Sequence, residues 1–181
     1  MLDHLYVMSP VTGEFIQYQP ASPTWAQALQ LTLNQIVMEK KFLLNTEPFS
    51  VTQIEEYICK MIKNENPFWL AVQDRKVLGW CDVKRLENIN LRHTGTLGMG
   101  VSLPFRRRGI GKNLTRACLA EAWSSGFDKI ELTVYADNEA AISLYRSLGF
   151  IEEGRFRRFA RIDKNYKDAL RMALFKSPDV E

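Results

Sequence analysis

The chain has 181 residues, of which 46% are hydrophobic and 25% are charged, and its formal net charge is +3. That length and composition are typical of one globular domain, which we expect to span residues 1–181. A charge so close to balance does not indicate a nucleic-acid-binding protein, and no stretch is apolar for long enough to cross a membrane. The three cysteines form no disulfide framework and no metal-binding pattern, which favours a cytoplasmic protein without a metal.

The N-terminal third of the chain predicts one strand and one helix. Alternation over residues 14–19 indicates the strand, whereas residues 1–13 receive no assignment. A small hydroxyl residue and a proline within residues 22–24 are typical of a helix start, and they predict a helix that extends to Val37. Residues 40–49 break the periodic pattern, so we expect them to form a loop along one wall of a substrate cleft.

A second helix and a hairpin follow that loop. Ser50 and Gln53 have the spacing of a capping box, in which each side chain bonds the main-chain N–H of the other residue. Apolar runs at residues 68–72 and 77–83 flank a polar triplet at 74–76. This pattern predicts two antiparallel strands joined by a tight turn.

A glycine-interrupted strand at residues 94–102 leads into the next helix. Glycines weaken a strand, but they permit bulges and the close approach of a ligand. Helical spacing runs from Ile110 to Ala122, and Gly126 supplies the stop signal.

The strand predicted at residues 129–135 alternates between two faces. Its even-numbered residues are apolar and belong to the core, whereas Glu131, Thr133 and Tyr135 lie on a face that we expect to be accessible.

The rest of the chain predicts one more helix and a final strand pair. Asn138 is an adequate N-cap, and Gly149 ends the helix. Residues 150–159 and 169–175 then form the strands. Alternating strands and helices with antiparallel ends predict an α/β fold with a mixed, mostly antiparallel central sheet flanked by helices.

Positive charge is concentrated where the glycine-rich strand joins its helix. Five basic residues and no acidic residue lie between Arg106 and Arg116. Gly109 and Gly111 allow the main chain to turn sharply and to approach a ligand closely. The first N–H groups of the helix are free, and its dipole favours negative charge, so the loop predicts an anion site.

Two common phosphate-binding loops do not fit these residues. A Walker loop requires glycine where Arg106 stands, and Ser or Thr where Asn113 stands. A dinucleotide-binding loop requires a third glycine at Leu114 and an acidic residue about 20 residues further on. Nucleotide triphosphate hydrolysis and dinucleotide binding are therefore both disfavoured.

The remaining pattern, Arg-x-x-Gly-x-Gly after Val101, resembles the pyrophosphate loop of the GNAT superfamily of acetyl-CoA-dependent N-acetyltransferases. Asn138, Tyr145 and residues 148–150 follow in the order that the superfamily uses. The resemblance covers about residues 94–150, and the C-terminal tail is similar to that of bacterial members that acetylate amino acids or related small amines. It implies splayed central strands and acetyl-CoA as cosubstrate, with the acetyl group passing to a small-molecule primary amine by direct attack in a ternary complex.

The same resemblance implies roles for individual residues. Tyr145 occupies the position of a frequent general acid, and it would protonate the departing thiolate. Main-chain N–H groups along Met99, Gly100 and Val101 would hold the carbonyl and the pantetheine arm. Asn138 is either a cofactor contact or only a helix N-cap. The pyrophosphate would contact Arg106, Arg107, Arg108, Gly109, Ile110, Gly111 and Lys112.

The general base is less determined. Thr133 stands where some relatives that modify protein N-termini carry a glutamate, so their mechanism is not transferred. His93 lies just before the glycine-rich strand, where the amino-acid-acetylating relatives that the chain resembles have a histidine at a similar place, and an imidazole with a reference pKa of about 6.5 suits proton acceptance. Glu131 would instead act through water from the accessible face. Each of the two also has an ordinary interpretation as a surface residue.

Other functions are carried as alternatives. The chain could acetylate protein N-termini or a ribosomal protein, or it could be a non-catalytic acyl-CoA-binding regulatory domain. An RNA-associated module is disfavoured, because the C-terminal arginine cluster is not accompanied by the aromatic pattern of an RNA-binding sheet. A homodimer is left open.

Overall fold

The computed structural model describes residues 5–8 and 15–177. The strands of its sheet are β1 (Leu5–Met8), β2 (Phe15–Pro20), β3 (Phe68–Gln73), β4 (Lys76–Arg85), β5 (Thr94–Val101), β6 (Lys129–Tyr135), β7 (Ile151–Ile162) and β8 (Asn165–Phe175). The α-helices are α1 (Ala26–Met38), α2 (Val51–Lys63), α3 (Ile110–Ser124) and α4 (Glu139–Ser147). Strand order is β1-β2-β3-β4-β5-β6-β8-β7, and the pair β5–β6 is parallel while the others are antiparallel. The predicted fold class is confirmed.

The N-terminal strand pair extends the sheet beyond the prediction. β1 lies within the residues that received no assignment, and it pairs antiparallel with β2. β2 begins at Phe15, one residue after the predicted start, because Glu14 lies outside the described residues.

Local sequence signals form as predicted around α2 and the β3–β4 turn. Ser50 Oγ accepts a hydrogen bond from the Gln53 N–H at 3.2 Å, and the Ser50 N–H donates to Gln53 Oε1 at 2.8 Å. Asp74 and Arg75 have φ values of 48° and 61°. Positive φ at both central residues matches the twist of a two-residue hairpin, so the turn fixes the register of β3 and β4.

Two apolar layers cover the faces of the sheet. Leu29 of α1, Ile58 of α2 and Leu70 of β3 belong to one buried cluster. Leu114 of α3 and Ile130 of β6 belong to the other. Because each helix packs an apolar stripe onto the sheet, both ends of α3 are held in place, including the N-terminus that follows the basic loop.

The central strands diverge as predicted. β5 and β6 pair at only three positions, which join residues 94–96 to residues 129–131. Beyond that point β5 remains paired with β4, and β6 remains paired with β8. A gap therefore opens between two strands that are each held from the other side.

The glycines of β5 accommodate neighbouring side chains. A Cβ at Gly95 would lie 2.7 Å from Phe127 Cε1, and one at Gly100 would lie 2.5 Å from Trp80 Cζ3. The register of β5 with β4 is continuous, so the permitted bulge does not occur between these strands. Close approach, rather than a bulge, accounts for these glycines.

The prediction that the odd-numbered face of β6 is accessible is wrong. Glu131 is 5% exposed and Tyr135 is 4% exposed, and Thr133 alone among the three is open to solvent. An ion pair with Arg171 of β8 covers Glu131. Lys167 Nζ lies 5.4 Å from the ring centroid of Tyr135. Long basic side chains from β8 therefore cover a face that alternation alone left open.

Candidate active site

A cavity of about 550 Å³ occupies the gap between the diverging strands. Residues 97–101 of β5 form one side, and residues 132–134 of β6 form the other. Ile36 of α1, with Phe42 and Leu43 from the connector to α2, closes one end. The basic loop and α4 close the remaining sides, so the cavity reaches both faces of the sheet.

The main chain of β5 presents hydrogen-bond donors to this cavity. The Ser102 N–H donates to the Leu78 carbonyl at 2.9 Å, which shows that this residue faces β4. Because N–H direction alternates along a regularly paired strand, Gly100 also faces β4, whereas the N–H groups of Met99 and Val101 point into the gap. Of the three predicted main-chain donors, Met99 and Val101 therefore remain candidates and Gly100 does not.

The basic loop is folded as a concave set of main-chain donors. Arg107 and Gly109 have φ values of 62° and 78°. The N–H groups of residues 107–112 donate to no acceptor in the described chain, and the first bond of the helix runs from the Asn113 N–H to the Gly109 carbonyl at 3.1 Å. Successive free N–H groups at a helix N-terminus form an anion cradle of the size of a phosphate group.

The three consecutive arginines of the loop have different surroundings. Arg106 forms a two-pronged ion pair with Glu39, at 2.9 and 2.5 Å. The Arg107 side chain lines the cavity and has no hydrogen bond, ion pair or ring contact in the described chain. Arg108 lies over the ring of Phe105 at 5.4 Å and is not part of the cavity wall. Of the three side chains, that of Arg107 is placed best to meet an anion.

Tyr145 lies in the cavity wall beside β5. It is 6% exposed, and its ring packs against Phe150 with 5.6 Å between centroids. Burial raises the pKa of Tyr145 above its ordinary value, so the phenol stays protonated throughout the neutral range. The hydroxyl makes no hydrogen bond within the described chain, which leaves its proton available to a group in the cavity.

Asn138 caps α4 and also lies in the cavity wall. Its Oδ1 accepts a hydrogen bond from the Ala141 N–H at 3.3 Å, so the N-cap of α4 is confirmed. The side chain also lines the cavity, where its amide nitrogen has no partner among the described residues. Contact with a cofactor stays a prediction.

His93 does not reach the cavity. Its side chain is exposed, and its carbonyl accepts hydrogen bonds from the N–H groups of Asp128 and Lys129. This places it at the closed end of the gap, where β5 and β6 still pair. A strand rises about 3.3 Å per residue, so the five residues to Gly98 carry the chain about 16 Å away. The structure contradicts the proximity on which its predicted role as base depended.

Glu131 is also separated from the cavity wall. Its carboxylate is paired with Arg171 and lies 3.8 Å from Lys129 Nζ. It belongs to the last paired position before the strands diverge. Its two cationic partners lie on its own strand and on β8, on the side away from the gap, and the structure gives the carboxylate no route to a substrate amine.

Asp82 of β4 is a titratable group that the sequence analysis did not single out. It is 7% exposed, and its Oδ2 accepts a hydrogen bond from the Tyr57 hydroxyl at 2.9 Å. Burial raises the pKa of Asp82 to about 6, although hydrogen bonds from Tyr57 and Trp80 act in the opposite direction. A Cβ at Gly98 would lie 3.0 Å from Asp82 Oδ1, so this oxygen lies directly behind the cavity wall. The available signal was a single acidic residue within the apolar strand 77–83.

A family model described as acetyltransferase (GNAT) family matches residues 32–150. The chain belongs to this GNAT family. It is an acetyl-CoA-dependent acetyltransferase, and the non-catalytic alternative is set aside. The free main-chain donors of residues 107–112 fit the diphosphate of this cosubstrate, and the cavity between the strands leads from them to Tyr145.

Similar proteins differ in the acceptors that their names give. The chain is 31% identical over 109 residues to the L-amino acid N-acetyltransferase AaaT of Escherichia coli, which covers 59% of this chain and 67% of that protein. It is 38% identical over 76 residues to the ribosomal protein bS18 alanine N-acetyltransferase of Salmonella typhimurium, which covers 42% of this chain and about half, 51%, of that protein. The acceptor is therefore not fixed by similarity.

A solved structure shows the same fold. YncA of Salmonella typhimurium, solved with its cofactor acetyl-CoA, superposes with a TM-score of 0.85 at 18% identity, over 92% of this chain and 99% of that one. No helix among the described residues is long and apolar enough to cross a membrane. Within residues 5–8 and 15–177, no group of three or more His, Cys, Asp and Glu side chains is placed to hold a metal ion.

The buried Asp82 carboxyl predicts a pH-dependent stability. Its pKa is raised from 3.8 to about 6 in the folded chain, so the folded state holds this proton more tightly than the unfolded state does between those values. The free energy of unfolding should fall as pH rises through that window. The asparagine of Asp82→Asn cannot ionise, so the variant escapes this loss. Its free energy of unfolding, relative to that of the parent, should rise by up to about 3 kcal/mol from pH 4 to pH 8.

Urea denaturation of both proteins at the two pH values measures this difference. Asp128→Asn, at an exposed aspartate, is the matched control and should show no such gain. An equal effect of Asp82→Asn at both pH values would contradict a raised pKa at this position.

Proposed function

We propose that this enzyme acetylates the primary amine of a small molecule, with amino acids among the acceptors, by direct attack within a ternary complex. One observation carries the proposal. A single cavity contains the free N–H groups of Met99 and Val101, the unpaired hydroxyl of Tyr145 and, at one end, the anion cradle of residues 107–112. Carbonyl polarisation, proton donation and phosphate binding are thus available to one bound molecule.

Each group has a distinct part in the proposed reaction. Bound acetyl-CoA supplies an activated acetyl group and a thiolate leaving group. The cradle at residues 107–112 and the Arg107 guanidinium hold the diphosphate, and the amide of Asn138 binds the polar arm. The N–H groups of Met99 and Val101 stabilise negative charge on the carbonyl oxygen, as an oxyanion hole does. Tyr145 donates its proton to the departing sulfur, because a buried neutral phenol is a donor at neutral pH.

Asp82 is proposed as the proton acceptor for the amine. Its Oδ1 lies behind Gly98 on the face of the sheet that α1 and α2 cover, and Tyr145 lies on the opposite face. Proton transfer from the amine would pass through one water molecule at Gly98. A carboxyl with a pKa of about 6 is ionised at neutral pH and still basic enough to take a proton.

We place the amine at the end of the cavity that α1 and the connector to α2 close, and we call it the acceptor end. Its lining favours an amine with an apolar body. Ile36, Phe42 and Leu43 line it, and no acidic side chain is among the described lining residues. The charged lining residues are all basic, being two arginines in the loop before α3 and one lysine in the first turn of that helix. A polyamine would therefore find no countercharge for its second ammonium group, whereas a monoamine needs none.

Contacts across the cavity favour a compact acceptor over a peptide. The Tyr135 hydroxyl of β6 donates a hydrogen bond to the Leu43 carbonyl of the connector at 3.5 Å. This contact joins β6 to the connector beside Leu43, which lines the acceptor end, so we expect it to limit the room for an extended chain. Acetylation of protein N-termini is the second candidate, supported by the bS18 relative. A cytoplasmic location and a homodimer stay predictions.

A competition experiment tests the acceptor class. We expect acetyl-CoA consumption and mass-detected products with leucine and phenylalanine, with kcat/KM at least about tenfold above that for spermidine. An unblocked alanine-starting hexapeptide in the same mixture tests the second candidate. Preferential acetylation of the hexapeptide would overturn the small-molecule proposal, and preferential acetylation of spermidine would overturn the argument from charge.

The role of Tyr145 is tested by removing one oxygen atom. Tyr145→Phe should lower kcat by about 100-fold, the usual contribution of a positioned proton donor, without weakening the binding of acetyl-CoA. Thiol release measures turnover, and calorimetry measures binding. Tyr166→Phe, at an exposed tyrosine of β8, is the matched control and should retain full kcat. Full activity of Tyr145→Phe would remove it from the mechanism.

The role of Asp82 is tested through the pH profile. Because its pKa is about 6, kcat/KM of the parent enzyme should decline below that pH as the carboxylate becomes protonated. Asp82→Asn should lower kcat/KM at pH 8 by about 100-fold and should lack this acidic limb. A variant that keeps the parent's profile in shape and height would show that another group takes the proton.

A further inference from the structure

Arg106 begins the anion loop, but its guanidinium is directed away from the cradle. Its Nε donates to the Val101 carbonyl at 2.8 Å. Its two terminal nitrogens donate to the two carboxylate oxygens of Glu39 at 2.9 and 2.5 Å. Its Cζ lies 5.0 Å from the ring centroid of Phe42. All three guanidinium nitrogens are therefore engaged by other parts of the chain.

These partners belong to two different walls of the cavity. Val101 is the end of β5, and its N–H is one of the donors that face the gap. Glu39 is the C-cap of α1, and Phe42 follows it in the connector that closes the acceptor end. Arg106 thus joins the cofactor loop, the central strand and the acceptor wall in one set of contacts.

The connector has few other attachments near this point. Within the described residues, one hydrogen bond joins residues 40–48 to β6, and it runs from the Tyr135 hydroxyl to the Leu43 carbonyl. The firm attachments are at its far end, where Gln30 and Asn34 bond the main chain of Phe49. Leu43 also packs against the apolar cluster of α1 and α2, and the contacts of Arg106 with Glu39 and Phe42 are what attach this segment to the basic loop.

The pair has the geometry of a strong interaction. Two parallel N–H···O bonds between a guanidinium and a carboxylate fix direction as well as distance. The side chains of Arg106 and Glu39 are 24% and 19% exposed, so solvent screens them less than it screens a surface pair. Lysine at position 106 would keep the positive charge but could not form the two parallel hydrogen bonds to the carboxylate.

We propose that Arg106 is a positioning residue for the acceptor wall, through which docking of the cosubstrate on residues 107–112 fixes the connector at residues 40–49. This inference rests on the proposed function for the identity of the two ligands. The loop binds the diphosphate through its main chain, and its first residue holds Glu39 and Phe42. Binding at the loop is thereby transmitted to the connector through the contacts of Arg106 with Glu39 and Phe42.

Hydrogen exchange tests the link without any turnover. Addition of CoA to the parent protein should protect residues 107–112 and also residues 40–49. In Glu39→Gln and Arg106→Lys the first region should still be protected, while protection of the second should be lost. Glu47→Gln, at an exposed acidic residue of the same connector, is the matched control and should behave like the parent. Thermal melting confirms that each variant is folded.

Steady-state kinetics gives the second measurement. Glu39→Gln and Arg106→Lys should raise KM for the amine by about tenfold, with the dissociation constant for CoA changed less than about twofold. Arg107→Gln should show the opposite pattern, with weaker CoA binding and an unchanged KM for the amine. Because both partners act through one contact, the effects of the double variant should be well below additive.

The outcomes separate the two proposals. If CoA protects neither region of the parent protein, the proposed function fails. If CoA protects residues 107–112 but never residues 40–49, or if Glu39→Gln keeps the parent's protection and KM, then the inference about Arg106 is wrong while the proposed function stands. If Arg106→Lys weakens CoA binding as strongly as Arg107→Gln does, Arg106 is a cofactor ligand and not a positioning residue.

Discussion

The divergence of β5 and β6 after three paired residues is the constraint on which the site depends. A sheet normally satisfies the main-chain groups of every interior strand, and an unpaired buried N–H is unfavourable. Here β5 is held by β4 on one side only beyond Thr96, so the N–H groups of Met99 and Val101 stay available. At the last joined position, Glu131 of β6 forms ion pairs with Arg171 of β8 and with Lys129 of its own strand. Glu131 thus links β6 to β8, the strand that pairs with β6 beyond the divergence, and it does so from outside the cavity.

Burial divides the proton chemistry between the two faces of the sheet. Asp82 and Tyr145 both have raised pKa values, and in both cases burial is the main cause. The consequences are opposite, because a raised carboxyl pKa gives a stronger base and a raised phenol pKa gives a group that stays protonated. From about pH 6 upward the first is ionised while the second keeps its proton. One strand, β5, separates the two, so an amine and a thioester on either side of it would meet the appropriate partner.

Local patterns predicted most of the fold, since the interactions that form these elements lie within a few residues of one another. The capping box of Ser50 and Gln53 and the turn at Asp74 and Arg75 are of this kind. The anion loop could be predicted equally well from the sequence, because free N–H groups at a helix start are a property of the helix itself. The proposed base could not be predicted in this way. His93 is near β5 in sequence but at its closed end, and Glu131 is covered by β8. Asp82 owes its raised pKa to burial in the fold, where its neighbours include Tyr57 and Gly98, which are 25 and 16 residues away in the sequence.

The three adjacent arginines show most directly why composition is not enough to assign a role. As a sequence they form one basic run, and each would serve equally well as a phosphate contact. In the fold the positive φ of Arg107 turns the chain between its neighbours, so consecutive side chains leave in different directions. Arg106 is neutralised by Glu39, Arg108 rests on Phe105, and Arg107 is left without a partner in the described chain. A guanidinium that has already been paired gains little from a second anion, so the free one at the cavity is where the charge of a diphosphate has its largest effect.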